Sequence, residues 1–277
     1  MSSIQAPAIL GLALLCGSTF VRAQERLLPA VQSFELPEAS PRVYGVAGRL
    51  LSTRRGESRF GNEREAEVAI GENLPLVAIK GGARPIVLGI GSQVYGRFSL
   101  HDSKTALISV DWVAGLNTTA VLGPVALTMQ VYHESSHLGD EYGDRFQAQR
   151  LDWSREVAAG WMTYGAGNWR LTGGASYVLY DGLSLPRGGA SLGIDWGGGR
   201  HRILTRPVEP VVGLYTEGSA ATGWRLSTSG KLGIAVRGKQ GTRSIGLALI
   251  AHHGLSTQRQ FFRQESQYVG LEVRFDL

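Results

Sequence analysis

The chain has 277 residues, 38 of them glycine, and a formal net charge of +5. No Lys/Arg cluster alternates with aromatics as a nucleic-acid groove requires, so the positive balance names no nucleic-acid partner. A single cysteine, Cys16, excludes a disulfide framework and a thiolate metal site.

Residues 1–23 read as an export signal. An apolar core runs from Ala6 to Cys16, and Val21-Arg22-Ala23 forms a small-x-small cleavage site, although no early Lys or Arg precedes the core. That core is too short to cross a bilayer as a helix. Residues 24–41 are expected as a periplasmic lead-in and residues 42–277 as the folded body. A first strand, with poor alternation, is placed at Arg42–Ser52. From Glu65 onward, eleven segments alternate with period two and no stretch reaches 18 apolar residues. Ile86, Leu88 and Ile90 oppose Gly89, Gly91 and Gln93, and Arg97 falls on the inward side. Val125, Leu127, Met129 and Val131 oppose Ala126, Thr128, Gln130 and Tyr132. In the next segment Trp153, Val157, Ala159 and Trp161 are assigned to the apolar face, which sends Ser154 and Glu156 inward. The last segment, YVGLEVRFDL, sets Val269, Leu271, Val273 and Phe275 against Tyr268, Glu272 and Arg274.

An apolar outer face around a polar, glycine-rich interior is the pattern of a transmembrane antiparallel β-barrel, closed because lipid cannot satisfy a strand edge. The fold class is therefore all-β. Twelve strands are expected, with ten as the alternative, since single-chain bacterial barrels have even counts. Short connections near Gly81–Arg84, Leu122–Pro124, Gly165–Asn168 and Gly238–Thr242 alternate with longer polar ones at Thr53–Arg64, Leu138–Arg150, Asp181–Gly188 and Leu255–Gln267. The short class is expected in the periplasm and the long class outside.

The string VYHESSHLGDEY, Val131–Tyr142, contains H-E-x-x-H at His133, Glu134 and His137. On a helix that string binds zinc. Here it continues an alternating strand. A strand rises about 3.3 Å per residue, which separates the two histidines by roughly 13 Å along one face. Two zinc ligands must each lie about 2 Å from one ion. No metal and no cofactor are expected, and Glu134 points into the lumen with Arg97 and Glu156.

Tyr132–Tyr142 resembles the hallmark of a bacterial family of unknown function, outer-membrane barrels sharing Y-H-x-S-S-H-L-G-D-E. The resemblance continues at Trp153-Ser154-Arg155-Glu156, at His253–Ser256 with Gln260-Phe261-Phe262, and at Tyr268-Val269-Gly270-Leu271. It covers most of residues 65–277. It implies an outer-membrane location, contact with outer-membrane lipids and insertion by the barrel assembly machinery, and it supplies no reaction. Tyr132, Ser136, His137, Gly139, Asp140 and Glu141 are its motif and loop positions in this chain.

His133-x-Ser135 also resembles the outward His-x-Ser of outer-membrane phospholipase A and the lipid A 3-O-deacylase. That likeness implies His133 as general base and Ser135 as nucleophile toward a lipid ester. At the spacing of the third member stands Gln147, where those enzymes carry Asn or Glu; Asp140, Glu141 and Asp144 are nearby carboxylates. In outer-membrane phospholipase A a divalent cation assists; nothing in this sequence shows one. The plainer reading makes the cluster loop architecture at a barrel rim. Three functions stand: a structural or narrow-lumen envelope barrel, an outer-leaflet lipid ester hydrolase, and a small-solute channel.

Overall fold

The computed structural model describes residues 24–29, 35–55, 64–81, 84–101, 105–197, 201–203, 206–237 and 244–276. The export signal expected at residues 1–23 lies outside them. In chain order the elements are β1 (Gln24–Leu27), β2 (Val46–Arg55), β3 (Arg64–Gly81), β4 (Arg84–Ser99), β5 (Leu107–Leu122), β6 (Val125–Leu138) and helix α1 (Asp140–Phe146). There follow β7 (Trp153–Ala166), β8 (Trp169–Asp181), β9 (Gly188–Gly197), β10 (His201–Ile203), β11 (Arg206–Ser219), β12 (Ser227–Arg237), β13 (Ser244–Leu255) and β14 (Glu265–Asp276).

Twelve of these strands close into one antiparallel ring, β2 through β9 and β11 through β14, sealed by the β14–β2 ladder. The minor strand β1 pairs Val77–Lys80 of β3, and β10 pairs the start of β11. Most barrel strands exceed the 9–11 residues that cross a bilayer. The outward faces carry the apolar side chains. On β14, Val269, Leu271, Val273 and Phe275 are exposed while Tyr268 and Glu272 are buried. β4 and the Leu127–Val131 half of β6 follow the expected parity as well.

Strand β7 reverses the expected parity. Trp153, Val157 and Ala159 are buried inside, and Ser154, Glu156, Ala158 and Met162 lie on the outer face. Both faces of this segment carry apolar residues, so alternation alone admits either parity. Cross-strand register decides it: Arg155 lies opposite inward Glu134, and Glu156 lies opposite outward His133.

The residues before β2 also depart from expectation. Positions 35–41, read as part of a periplasmic lead-in, rise inside the barrel, and 42–45 turn back down to meet β2 at Val46. Pro37 and Ala39 lie where a Cβ on Gly193 or Gly213 would stand. Gly45, at φ 127°, makes the reversal in a backbone conformation that side chains disfavour. Its N–H donates to Gln93 Oε1 at 3.0 Å and its carbonyl accepts from Gln93 Nε2 at 2.9 Å.

Charged groups in the lumen follow this hairpin from one rim to the other. Arg170 pairs with Glu35 and Asp195, and Lys231 bridges Glu38 at 3.2 Å and Glu272 at 2.9 Å. Arg49 joins Glu272 and Glu67, and the fully buried Arg97 joins Glu65 at 2.9 Å and Glu67 at 2.8 Å. Arg42 reaches Asp111 and the Thr257 carbonyl. Buried charges persist only when paired in this way. Burial would raise the Glu38 pKa, but Lys231, Arg274 and Arg170 outweigh it and hold the carboxyl below its ordinary value. The hairpin helps to wall two lumen cavities, one of about 210 Å³ below the long loops and one of about 500 Å³ toward the short turns.

Candidate functional site on the outer face of strands β6 and β7

Strand β6 stays extended through Leu138, so the H-E-x-x-H string never forms the helical zinc geometry. Glu134 is buried in the lumen. It accepts Arg259 Nε at 2.8 Å and Trp153 Nε1 at 3.0 Å. Burial would lower the Arg259 pKa, but Glu134 and Glu217 hold that guanidinium above its ordinary value. Ser136 is also buried, and Tyr132 lines the smaller cavity.

His133, Ser135 and His137 take the outward positions between these residues. Directly across the β6–β7 ladder stand Glu156 opposite His133 and Ser154 opposite Ser135. His133 Nδ1 and Glu156 Oε1 are 2.8 Å apart, with both side chains close to half exposed, at 44% and 47%. Glu156, expected in the lumen, is therefore an outer-face residue. A carboxylate only accepts, so in the neutral imidazole the proton sits on Nδ1 and the Nε2 lone pair is open. Among the described residues the His133 side chain makes no other hydrogen bond. Ser135 shares its face about 6.6 Å away along the strand.

Gln147, expected as the third member, has its side chain engaged within its own loop. It ends α1 in a left-handed conformation, and its amide donates to the Asp144 carbonyl at 2.7 Å. The Leu138–Arg150 connection holds a helix that alternation could not signal. Asp140 and Glu141 fill its first turn, where the helix dipole favours acidic groups. Tyr142 is buried against Ile108, with Phe261 at 5.3 Å between ring centroids. Gly139 is held by close approach: a Cβ there would stand 2.0 Å from the Leu107 carbonyl oxygen.

Around the His–Ser–Glu cluster the outer face is apolar, with Trp112, Val131, Leu179 and Tyr180 exposed. Trp112 lies opposite Ser135 on the β5 side, and Tyr180 opposite Glu156 on the β8 side. No group of three or more His, Cys, Asp or Glu is arranged to hold a metal among the described residues.

A closed twelve-stranded barrel with an apolar outer band and a charged lumen defines an outer-membrane β-barrel protein. Its sequence matches the family model described as "Protein of unknown function (DUF1207)" over residues 15–277, and the chain belongs to that family. No curated protein matches it in sequence. In structure it is similar to the calcium-bound dimer of Salmonella typhi outer membrane phospholipase, at 14% identity and TM-score 0.60, over 86% of this chain and 93% of that one. Outer membrane phospholipase A from Escherichia coli is similar to the same degree, at 14% identity and TM-score 0.60, over 84% of this chain and 98% of that one. At these identities the likeness establishes the fold.

Proposed function

We propose that this barrel hydrolyses acyl esters of membrane lipids at its outer face, with Ser135 as nucleophile, His133 as general base and Glu156 orienting the base. The observation that carries the reading is the 2.8 Å His133–Glu156 contact on the lipid-facing surface, on the same face as Ser135. A serine hydroxyl needs an adjacent base, and the base needs a third group to fix its tautomer and stabilise the imidazolium. The open Nε2 of His133 takes the Ser135 proton as Oγ attacks the ester carbonyl. The same nitrogen returns that proton to the departing alcohol, leaving an acyl-serine. Water then attacks the acyl-serine, again giving its proton to Nε2, and releases the fatty acid. Ser154, opposite Ser135, offers a hydroxyl donor toward the carbonyl oxygen. Exposed Trp112, Val131 and Leu179 suit the substrate's acyl chains.

The channel reading gains no support from a lumen filled by residues 35–45 and their ion pairs. A structural barrel would not require an outward His–carboxylate pair beside a serine. Fatty-acid release from phospholipid micelles by the purified protein tests the proposal. Ser135→Ala and His133→Ala are each expected to abolish release while keeping heat-modifiable migration. Absence of release by the wild-type chain, with no labelling by a serine-directed probe, would sink it.

A further inference from the structure

Beyond the ester itself, the outer face carries a second pair of polar groups. His137 lies two residues above Ser135 on the outward side of β6, about 6.6 Å further along the strand. Arg150 Nη2 donates to His137 Nδ1. A guanidinium only donates, so His137 Nδ1 is the acceptor and Nε2 carries the proton. The two histidines thus hold opposite tautomers. His133 presents a lone pair at Nε2, which suits a base, and His137 presents an N–H.

Arg150 is exposed, yet its backbone is anchored. Gln260 accepts the Leu151 N–H at 2.8 Å, and its amide lies 2.9 Å from both the Leu151 and Ser136 carbonyls. Those bonds tie the residue after Arg150 to the end of β6. Neither Arg150 nor His137 has a carboxylate partner among the described residues. Arg55 and Arg225, by contrast, share Glu265, and Arg155 pairs with Asp181, whereas Arg187 and Arg263 also have no carboxylate partner among the described residues. Beside the nucleophile, then, the fold leaves a planar cationic fork whose remaining donors are open, together with an imidazole N–H.

We propose that His137 and Arg150 form the phosphate subsite of the lipid site, so that its substrates are acyl esters carrying a phosphate rather than neutral glycerides. This rests on the ester-hydrolysis reading. A guanidinium fork matches the oxygens of a phosphate. In a glycerophospholipid the phosphate lies only a few bonds from the ester, which fits one two-residue strand step from Ser135 to His137. A neutral diacylglycerol has no group to place there.

The test separates binding from turnover. Full-length Ser135→Ala protein in detergent is offered dioleoyl phosphatidylglycerol or dioleoylglycerol, and retained lipid is read by native mass spectrometry. The phospholipid is expected to be retained in preference to the glyceride. Adding Arg150→Gln should lower phospholipid retention roughly tenfold, the loss of one charge-assisted contact. Arg150→Lys keeps the charge and should preserve most of the retention. Equal retention with and without Arg150→Gln overturns the proposal. So does equal loss with Gln and Lys, which marks a collapsed loop. Displacement of the phospholipid by millimolar inorganic phosphate also overturns it, marking a free-anion site. If the wild-type chain releases no fatty acid but the Arg150-dependent preference stands, the hydrolysis reading alone falls.

Discussion

Replacing Glu156 by Gln probes the outer-face chemistry most directly. Gln keeps a neutral acceptor for His133 Nδ1 but removes the charge that stabilises the imidazolium. With the contact at 2.8 Å, the charge centres lie on the order of 4 Å apart, an attraction of about 1 kcal/mol in water and about 4 kcal/mol at an effective dielectric near 20. The two side chains are nearly half exposed in the free protein, which favours the lower figure. A bound lipid excludes water between Trp112 and Tyr180 and moves the site toward the higher one. Each 1.36 kcal/mol is a factor of about ten in rate, so kcat is expected to fall roughly 10²- to 10³-fold with KM little changed. Fatty-acid release from phosphatidylglycerol micelles gives both constants, and heat-modifiable migration checks the fold. A Glu156→Gln enzyme within about threefold of wild-type kcat, when Ser135→Ala is inactive, would refute the assigned role. Gln147→Ala serves as the control and should leave kcat unaltered, since its amide serves α1.

Glu134→Gln is expected to cost stability, not to remove a catalytic base. It weakens the buried contacts to Arg259 and Arg42, a loss of about 3 kcal/mol, visible as a lowered transition in heat-modifiable migration. Deleting residues 35–45 is expected to join the two lumen cavities and raise single-channel conductance in planar bilayers. An unchanged, silent bilayer from correctly folded deletion protein would mean that other groups seal the lumen.

The barrel itself was legible in the sequence. Where outward residues are consistently apolar, as in Val269–Phe275 or Leu127–Val131, period two can only be satisfied by one orientation in lipid. The same rule put His133 and Ser135 outside and Glu134 inside. It failed on β7, where Trp153 and Val157 supply apolar surface to the lumen side and alternation has no preferred sense. Glu156 was thereby turned inward, and Gln147 was read as the third group because spacing along the chain was the only guide to it. Pairing across a ladder is a relation between strands, so the 2.8 Å His133–Glu156 contact exists only once the β6–β7 register is set. The lumen hairpin and the Arg150–His137 pair have the same origin. Residues 35–45 carry no periodicity, and their place is decided by carboxylates and arginines spread over the whole barrel wall. Arg150 is carried to His137 by a helix that buries Tyr142 and by Gln260 from a loop more than a hundred residues away. Local alternation therefore determined the barrel and the facing of those strands that are apolar on one side only, while long-range register and loop packing decided the facing of β7 and which polar groups meet.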